Sequence, residues 1–158
     1  RQFLNSFGGH AHAAGLVINR GRINEFKQTI NRLAHERLRL EDLLPRVDID
    51  MELKLTDLTF ETVSELECLE PYGAGNPEPL FYTKGLMLKG EPQVLGRDTL
   101  KFWVTDAEVT YPAIGFGIAE LKDELLEAKN FDLVYTPVID DWRDEMSVIL
   151  EIEDIFFR

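Results

Sequence analysis

The sequence predicts an α+β protein in which a five-stranded β-barrel follows a smaller segment built around one amphipathic helix. Three observations support this fold class. Apolar residues recur at three- and four-residue intervals over positions 22–40, which is the period of a helix. From position 81 onward, short apolar runs alternate with turn residues, a pattern typical of strands. Between these regions, prolines and glycines over 71–79 predict a defined turn.

The first part of the chain predicts a short strand followed by a helix. Small and apolar residues favour the strand over 14–18. The helix expected over 22–40 has an apolar face formed by Ile23, Phe26, Ile30, Leu33 and Leu40. Its other face is cationic and either contacts nucleic acid or is simply solvated; it carries Lys27, Arg32, Arg37 and Arg39.

A strand and a short helix are expected in the middle of the chain. Residues 46–55 alternate strictly between apolar and charged side chains, which predicts a half-buried strand. The helix is expected over 60–69, where apolar residues recur every three positions. Cys68 lies among leucines there, so we interpret it as a small buried apolar residue; as the chain's one cysteine, it cannot form an internal disulfide.

Five strands are expected in the last part of the chain, with a helix between the third and the fourth. The strand ranges are 81–95, 99–105, 110–117, 131–139 and 146–156, and the helix lies near 119–129. This order of elements is the layout of the OB fold, a small barrel that binds oligonucleotides in a groove on one face.

Alternation along the second of these strands separates core from surface. Leu100, Phe102 and Val104 point to one side and are predicted to be buried, which leaves Lys101 and Trp103 on the opposite face. There Trp103 either stacks a nucleobase or packs against the preceding connector or a neighbouring domain. Two further residues that could contact a ligand or a partner lie in turns.

Arg97 occupies the turn between the first two strands, a loop that OB folds often use for ligands. Trp142 lies in an expected hairpin turn with four acidic residues around it, which favours protein contact or turn packing over contact with DNA phosphates.

The segment 7–15 concentrates small residues around two imidazoles. We interpret Gly8 and Gly9 as a tight turn whose missing Cβ atoms let backbone N–H groups converge on an anion, with His10 as a further donor. A metal site at His10 and His12 is not expected, because no third ligand is near and no carboxylate precedes Glu25.

The charge of the chain is divided unevenly. Residues 1–40 carry seven cationic and two acidic side chains, whereas the whole chain has a net charge of −12. Screening over about 8–10 Å means that a bound strand would feel the basic segment more than distant acids. The acidic remainder either keeps the domain solvated or docks basic protein partners. The composition, without a long apolar run or a signal-peptide pattern, predicts a soluble cytoplasmic protein that does not bind membranes.

Two motifs resemble those of a known family. Gly8-Gly9-His10 with Ala13-Ala14-Gly15 resembles the signature of the DHHA1 domain, the substrate-binding half of the DHH phosphoesterases. Residues 69–81, with the sequence LEPYGAGNPEPLF, resemble the connector that leads into the OB domain of RecJ-type single-stranded-DNA-specific exonucleases. The resemblance divides the chain into the end of a DHHA1 α/β domain (1–45), a strand–helix connector (46–80) and an OB-fold domain (81–158).

This resemblance implies a function. The chain is expected to be the C-terminal, DNA-binding part of a 5′-to-3′ exonuclease used in DNA repair and recombination. In the complete enzyme a DHH domain would hold Mn²⁺ or Mg²⁺, and this sequence has no aspartate-histidine-histidine motif. We therefore expect the chain alone to hold no catalytic residue or metal and to be inactive. Its partners would be single-stranded DNA and other repair proteins. The residues expected to contact phosphate or DNA are Gly8, Gly9, His10, Arg97, Lys101 and Trp103.

Two other interpretations stay open. The OB domain could be an acidic module that mainly docks protein partners of repair, in which case Trp103→Ala would leave DNA binding unchanged. Alternatively, the chain could be part of another nucleotide phosphodiesterase of the DHH group, although those enzymes generally end soon after the Gly-Gly-His region.

Overall fold

The computed structural model describes residues 4–11, 13–140 and 146–158. The chain forms two compact units, Arg1–Val47 and Asp48–Arg158. Two residues considered above, His12 and Trp142, lie outside the described residues. In the described part, no helix is long and apolar enough to cross a membrane.

The first unit contains a β-hairpin and one helix. Strands β1 (Leu4–His10) and β2 (Ala13–Ile18) pair antiparallel. Helix α1 (Ile23–Arg37) follows, so the expected strand and helix are both confirmed. The helix ends three residues before the expected boundary, because the Arg39 N–H donates to the Asp42 carboxylate at 2.8 Å and starts a separate 3-10 turn.

The expected tight turn at Gly8 and Gly9 is wrong. Both glycines lie within β1, where Gly8 pairs with Gly15 and Gly9 pairs with Ala14, and the chain reverses after His10. Successive N–H groups of a strand point to opposite edges, so these two amides do not converge on one anion. Two adjacent glycines usually indicate a hairpin turn, and for this reason the local pattern predicted a turn where the structure has a strand.

Gly9 is required by the close approach of the two strands. A Cβ atom at this position would lie 2.4 Å from the carbonyl oxygen of Ala13 and 2.7 Å from the Cα of Ala14, both of them backbone atoms. A Cβ at Gly8 would meet nothing within 4 Å. The two glycines therefore have different roles in the hairpin.

We expect Gly9→Ala to loosen the β1–β2 hairpin and Gly8→Ala to leave it intact. Overpacking against backbone costs roughly 1–3 kcal/mol, which corresponds to amide exchange in the hairpin that is about tenfold faster or more. Hydrogen exchange measured by NMR on both variants checks this. Equal protection in the two variants would contradict the assigned close approach.

The second unit is a closed five-stranded barrel. Its strands are β4 (Phe81–Leu95), β5 (Thr99–Thr105), β6 (Thr110–Gly115), β7 (Phe131–Asp140) and β8 (Ser147–Phe157). Their order is β4-β5-β6-β8-β7, and β7 pairs with β4 to close the barrel. All neighbours are antiparallel except β6 and β8. Helix α3 (Lys122–Glu127) joins β6 to β7, so the predicted OB-fold barrel is confirmed.

The connector departs from its predicted strand. Only Met51–Glu52 forms a strand, β3, which pairs parallel with the start of β4. Val47, Ile49 and Met51 are 37%, 44% and 57% exposed, and Leu55, which is buried, belongs to a 3-10 turn, so the expected half-buried strand over 46–55 is wrong. The physical reason is that β3 lies at the edge of the sheet. It pairs with β4 on one side, and no strand pairs with its other side in the described part of the chain.

Helix α2 (Phe60–Leu66) confirms the expected short helix. Thr59 caps it, because its hydroxyl accepts from the Thr62 N–H at 3.2 Å while the Thr62 hydroxyl accepts from the Thr59 N–H at 2.9 Å. The helix gives way to a 3-10 turn at Glu67–Leu69, which rotates the following positions away from the core. Cys68 is therefore exposed, contrary to the expectation that it is buried.

A buried carboxylate joins strands β4, β7 and β8 where the barrel closes. Asp132 on β7 is 2% exposed and accepts hydrogen bonds from the Tyr82 hydroxyl at 2.5 Å and the Gly85 N–H at 2.9 Å. Arg158 at the end of β8 donates from Nε at 3.0 Å and from Nη2 at 2.6 Å. Burial by itself would raise the pKa of Asp132, but these donors outweigh it and hold the pKa below its ordinary value.

Candidate nucleic-acid interface

Strand β5 separates the barrel core from an open face, as its alternation predicts. Leu100, Phe102 and Val104 are 0%, 1% and 0% exposed, and Phe102 packs edge-on against Phe131 with ring centroids 6.4 Å apart. Trp103 on the other side is 47% exposed. The predicted placement of these side chains is confirmed, and an indole is left available on the barrel surface.

The cross-strand partners of Trp103 give this surface its chemistry. Trp103 pairs with Lys89 on β4 and with Pro112 on β6, so the three side chains share one face. The Lys89 ammonium donates to the Thr110 hydroxyl at 3.1 Å. Lys89, Gly90, Trp103 and Thr110 line an open depression. An aromatic wall beside an ammonium suits a nucleobase and its phosphate.

Lys101 extends the same face by one step along β5. It pairs with Gln93 on β4 and with Ile114 on β6, and it lies about 7 Å from Trp103 along the strand. We call the surface formed by Lys89, Lys101, Trp103, Pro112 and Ile114 the tryptophan face. Two cations therefore flank the indole, one across the strand pair and one along the strand.

Arg97 lies at the end of the same hairpin. It occupies the exposed turn between β4 and β5, where Gly96 has a φ of +63° that favours glycine. The Asp98 carbonyl accepts from the Ala119 N–H at 3.1 Å, which holds this turn against the segment leading to α3. The structure thus places all three predicted OB-domain residues, Arg97, Lys101 and Trp103, on one β-hairpin.

The positive charge of the second unit is concentrated in the β4–β5 hairpin. Residues 48–158 contain nine lysines and arginines and 25 acidic residues. Four of those cations and only two of the acids fall within 81–105, which spans β4 and β5. One of the four, Lys84, forms an ion pair with Glu52 of β3 at 2.6 Å, so Lys89, Arg97 and Lys101 are the cations that the β4–β5 hairpin offers to a polyanion.

Lys89 is the residue that sequence reasoning missed. The register between β4 and β5 shifts between Lys89 and Gln93, and Gly90 has a φ of +76°. An irregular strand breaks the two-residue alternation, so the face of Lys89 cannot be read from the sequence. The glycine after Lys89 was the available signal, since an isolated glycine inside a strand pattern indicates a bulge.

The first unit holds the other predicted residues on one strand. Gly8, Gly9 and His10 all lie on β1 and are exposed. Gly8 faces Gly15 across the hairpin, and a Cβ at either position would meet nothing within 4 Å. This glycine pair leaves backbone uncovered by side chains, where a charged group can approach closely.

The described residues include no cluster that fits the divalent metal expected for the complete enzyme. No group of three or more His, Cys, Asp or Glu side chains that could hold an ion occurs within the described ranges.

Comparisons with known proteins point to one family. The family model described as RecJ OB domain matches residues 49–154. The single-stranded-DNA-specific exonuclease RecJ of Bacillus subtilis (strain 168) is 25% identical over 155 residues, covering 98% of this chain and 20% of that protein. The protein of the same name from Dickeya dadantii (strain 3937) is 31% identical over 152 residues, covering 95% of this chain and 26% of that protein.

A solved structure agrees with the fold. The crystal structure of RecJ in complex with Mg²⁺ from Thermus thermophilus superposes with a TM-score of 0.79 at 23% identity, covering 99% of this chain and 24% of that one. The chain spans about a quarter of the length of these relatives or less. Since the family model covers well over half of the residues, the chain belongs to the RecJ OB domain family.

Proposed function

We propose that this chain is the C-terminal, DNA-binding part of a single-stranded-DNA-specific 5′-to-3′ exonuclease used in DNA repair and recombination. The observation that carries the proposal is the tryptophan face, where Trp103 is exposed between Lys89 and Pro112 on the positive hairpin of an acidic unit. Membership of a family whose named relatives are single-stranded-DNA-specific exonucleases supports the same role.

The tryptophan face binds a strand through contacts that do not depend on sequence. A base stacked on the Trp103 indole contributes about 1–3 kcal/mol, and every base offers such a surface. Lys89, Lys101 and Arg97 pair with backbone phosphates on either side of the stacked base. A nuclease that degrades a strand of any sequence needs binding of this sequence-independent kind.

The first unit contributes a second contact in the complete enzyme. The uncovered backbone at Gly8 and Gly15 lets a phosphate lie close to the hairpin, and His10 adds an imidazole on the same strand. Hydrolysis itself belongs to a separate DHH domain using Mn²⁺ or Mg²⁺; the related Thermus thermophilus RecJ structures are complexes with these ions. This chain positions the strand and does not cleave it.

Fluorescence anisotropy of a labelled deoxythymidine oligonucleotide tests the proposal with the 158-residue chain. We expect micromolar binding at low salt, with weaker binding of the matching duplex, whose bases are not free to stack. Absence of binding at low salt would contradict a DNA-binding role for this chain. Incubation of the same oligonucleotide with Mn²⁺ should leave it intact, and degradation by protein free of contaminating nuclease would contradict the assignment of hydrolysis to another domain.

The salt dependence of binding should reveal the phosphate contacts. Each cation that neutralises a phosphate of a single strand contributes about 0.7 to the slope of log K against log salt. We expect Lys89→Gln and Lys101→Gln each to reduce the slope by about this amount. Lys129→Gln, which removes an exposed lysine outside the tryptophan face, is the control and should leave the slope unchanged. Equal slopes for all three variants would show that phosphates do not contact this face.

A further inference from the structure

The outer surface that carries the tryptophan face continues past β6 to a second exposed aromatic ring. Phe116 follows Gly115, the last residue of β6, and is 63% exposed. Together with Glu151 it lines a surface depression, and Glu151 is the partner of Ile114 across the β6–β8 pair. Because paired residues share one face of a sheet, Phe116 borders the face that Ile114 and Lys101 occupy.

Two glycines and an isoleucine hold Phe116 in this position. Gly117 has a φ of +74°, a conformation that glycine adopts without strain, and it turns the chain after Phe116. Ile118 then lies over Gly115, where a Cβ atom would overlap the isoleucine side chain. Ile118 also packs against the barrel core. Because the chain on both sides of Phe116 is anchored in this way, the segment needs little ordering when a ligand binds.

The spacing along the strands places a cation between the two aromatic rings. Trp103 pairs with Pro112, and Phe116 lies four residues after Pro112, which corresponds to about 13 Å of extended chain. Lys101 pairs with Ile114, halfway between these positions. Stacked nucleotides of one strand rise by about 3.4 Å each, so a segment of about four nucleotides reaches from one ring to the other.

A second cation lies at the Phe116 end of this row. The Ala119 N–H donates to the Asp98 carbonyl at 3.1 Å, which joins the segment after Phe116 to the β4–β5 turn that contains Arg97. Arg97 and Lys101 form no ion pair with any residue that the structure describes. Both cations are therefore available to the phosphates of a strand that runs along β5.

The charges on either side of Ile114 decide where phosphates can lie. The partner of Ile114 on β5 is Lys101, and its partner on β8 is Glu151. Glu151 and Glu153 line the depression beside Phe116, and no lysine, arginine or histidine lines it among the described residues. A strand that crossed the barrel from β5 to β8 would bring its phosphates against these carboxylates, whereas a strand that follows β5 keeps them beside the cations.

We propose that Phe116 is a second base-stacking residue and that single-stranded DNA runs along β5 between Trp103 and Phe116, with its phosphates on the side of Lys101 and Arg97. This inference rests on the proposed DNA-binding function and adds a residue and a path to it. The phenyl ring, like the indole, offers a flat π surface on which any base can stack. Two stacked bases fix the path of a strand over the barrel, which a single stacked base cannot do.

Anisotropy titrations of a labelled deoxythymidine octamer with the 158-residue chain test the stacking role. We expect Phe116→Ala to weaken binding at least about fivefold, because one stacked base is lost. Phe116→Trp should bind within about twofold of the wild type, whereas Phe116→Leu, which keeps an apolar side chain without a π surface, should remain weak. Phe156→Ala, at a phenylalanine that is 48% exposed on β8, is the matched control and should leave the affinity unchanged.

Photocrosslinking tests the path of the strand. On irradiation, 5-iododeoxyuridine in place of thymidine couples to an aromatic ring on which it stacks, and mass spectrometry identifies the labelled peptide. We expect cross-links at both Trp103 and Phe116 in the wild type. Cross-links that omit Phe116, whether confined to Trp103 or extending to β7 or β8, would overturn the proposed path.

The outcomes separate this inference from the proposed function. Wild-type affinity in Phe116→Ala or Phe116→Leu, alongside weakened binding by Trp103→Ala, would overturn the second stacking site and leave DNA binding by the tryptophan face intact. Failure of Phe116→Trp to recover the affinity lost in Phe116→Ala would also overturn it. Absence of binding by the wild type would overturn the proposed function and this inference with it.

Discussion

Replacing Trp103 by alanine is expected to weaken binding of single-stranded DNA by about ten- to a hundredfold, through loss of one stacked base. The indole is 47% exposed, so its removal opens no cavity in the core. Its neighbours on the barrel, Lys89 and Lys101, remain and keep the salt dependence of binding. Anisotropy titrations of the labelled oligonucleotide at one fixed salt concentration measure this effect.

Phe156→Ala is the matched control for Trp103→Ala. Phe156 on β8 is 48% exposed and lies outside the tryptophan face, so its removal should leave DNA affinity unchanged. Trp103→Phe, which keeps an aromatic surface, should recover most of the affinity. Wild-type affinity in Trp103→Ala would show that this face does not bind DNA, and would favour an OB domain that mainly docks protein partners.

Replacing Asp132 by asparagine is expected to lower the free energy of unfolding of the barrel by about 2 kcal/mol. The carboxylate accepts from Tyr82, Gly85 and Arg158, whereas an amide supplies one acceptor oxygen and a donor that faces other donors. Urea unfolding followed by tryptophan fluorescence measures the loss, because both tryptophans of the chain belong to the second unit. Asp48→Asn, at an exposed position, is the control and should change stability by less than about 0.5 kcal/mol.

The stabilities of the wild type and of Asp132→Asn should also depend differently on pH. The pKa of Asp132 in the folded chain lies below its ordinary value of 3.8, so folding favours the ionised form. The stability that this charge contributes is complete above about pH 4 and is lost as the pH falls through the folded pKa. The difference between wild type and Asp132→Asn should therefore be constant near neutrality and shrink in acid. A difference that persists undiminished at low pH would contradict the assigned charge interactions.

The order of elements in the barrel could be predicted from the sequence because each strand carries its own alternation. Leu100, Phe102 and Val104 are buried as their two-residue spacing requires, and Trp103 is exposed for the same reason. The apolar pattern of α1 likewise predicted a helix that the structure contains. In the barrel strand the local pattern and the tertiary environment agree, whereas α1 is a helix although none of its residues is buried.

Prediction failed where the surroundings, rather than the local pattern, decide the structure. Residues 46–55 alternate like a strand, but only Met51–Glu52 pairs, since one edge of β3 has no neighbour among the described residues. Gly8 and Gly9 have the composition of a turn, yet the opposing strand holds them in a ladder. In the first case the lack of a pairing partner, and in the second the pairing with the opposing strand, overrides the local preference.

The sequence by itself determined the fold class, the five strands of the barrel and the outward placement of Lys101 and Trp103, because periodicity reports which side of its own backbone a residue occupies. Only the tertiary structure decided that Lys89 lies beside Trp103 and that Asp132 joins β4 to the end of β8. Those placements depend on strand register and barrel closure, which are set by pairing between residues far apart in the chain.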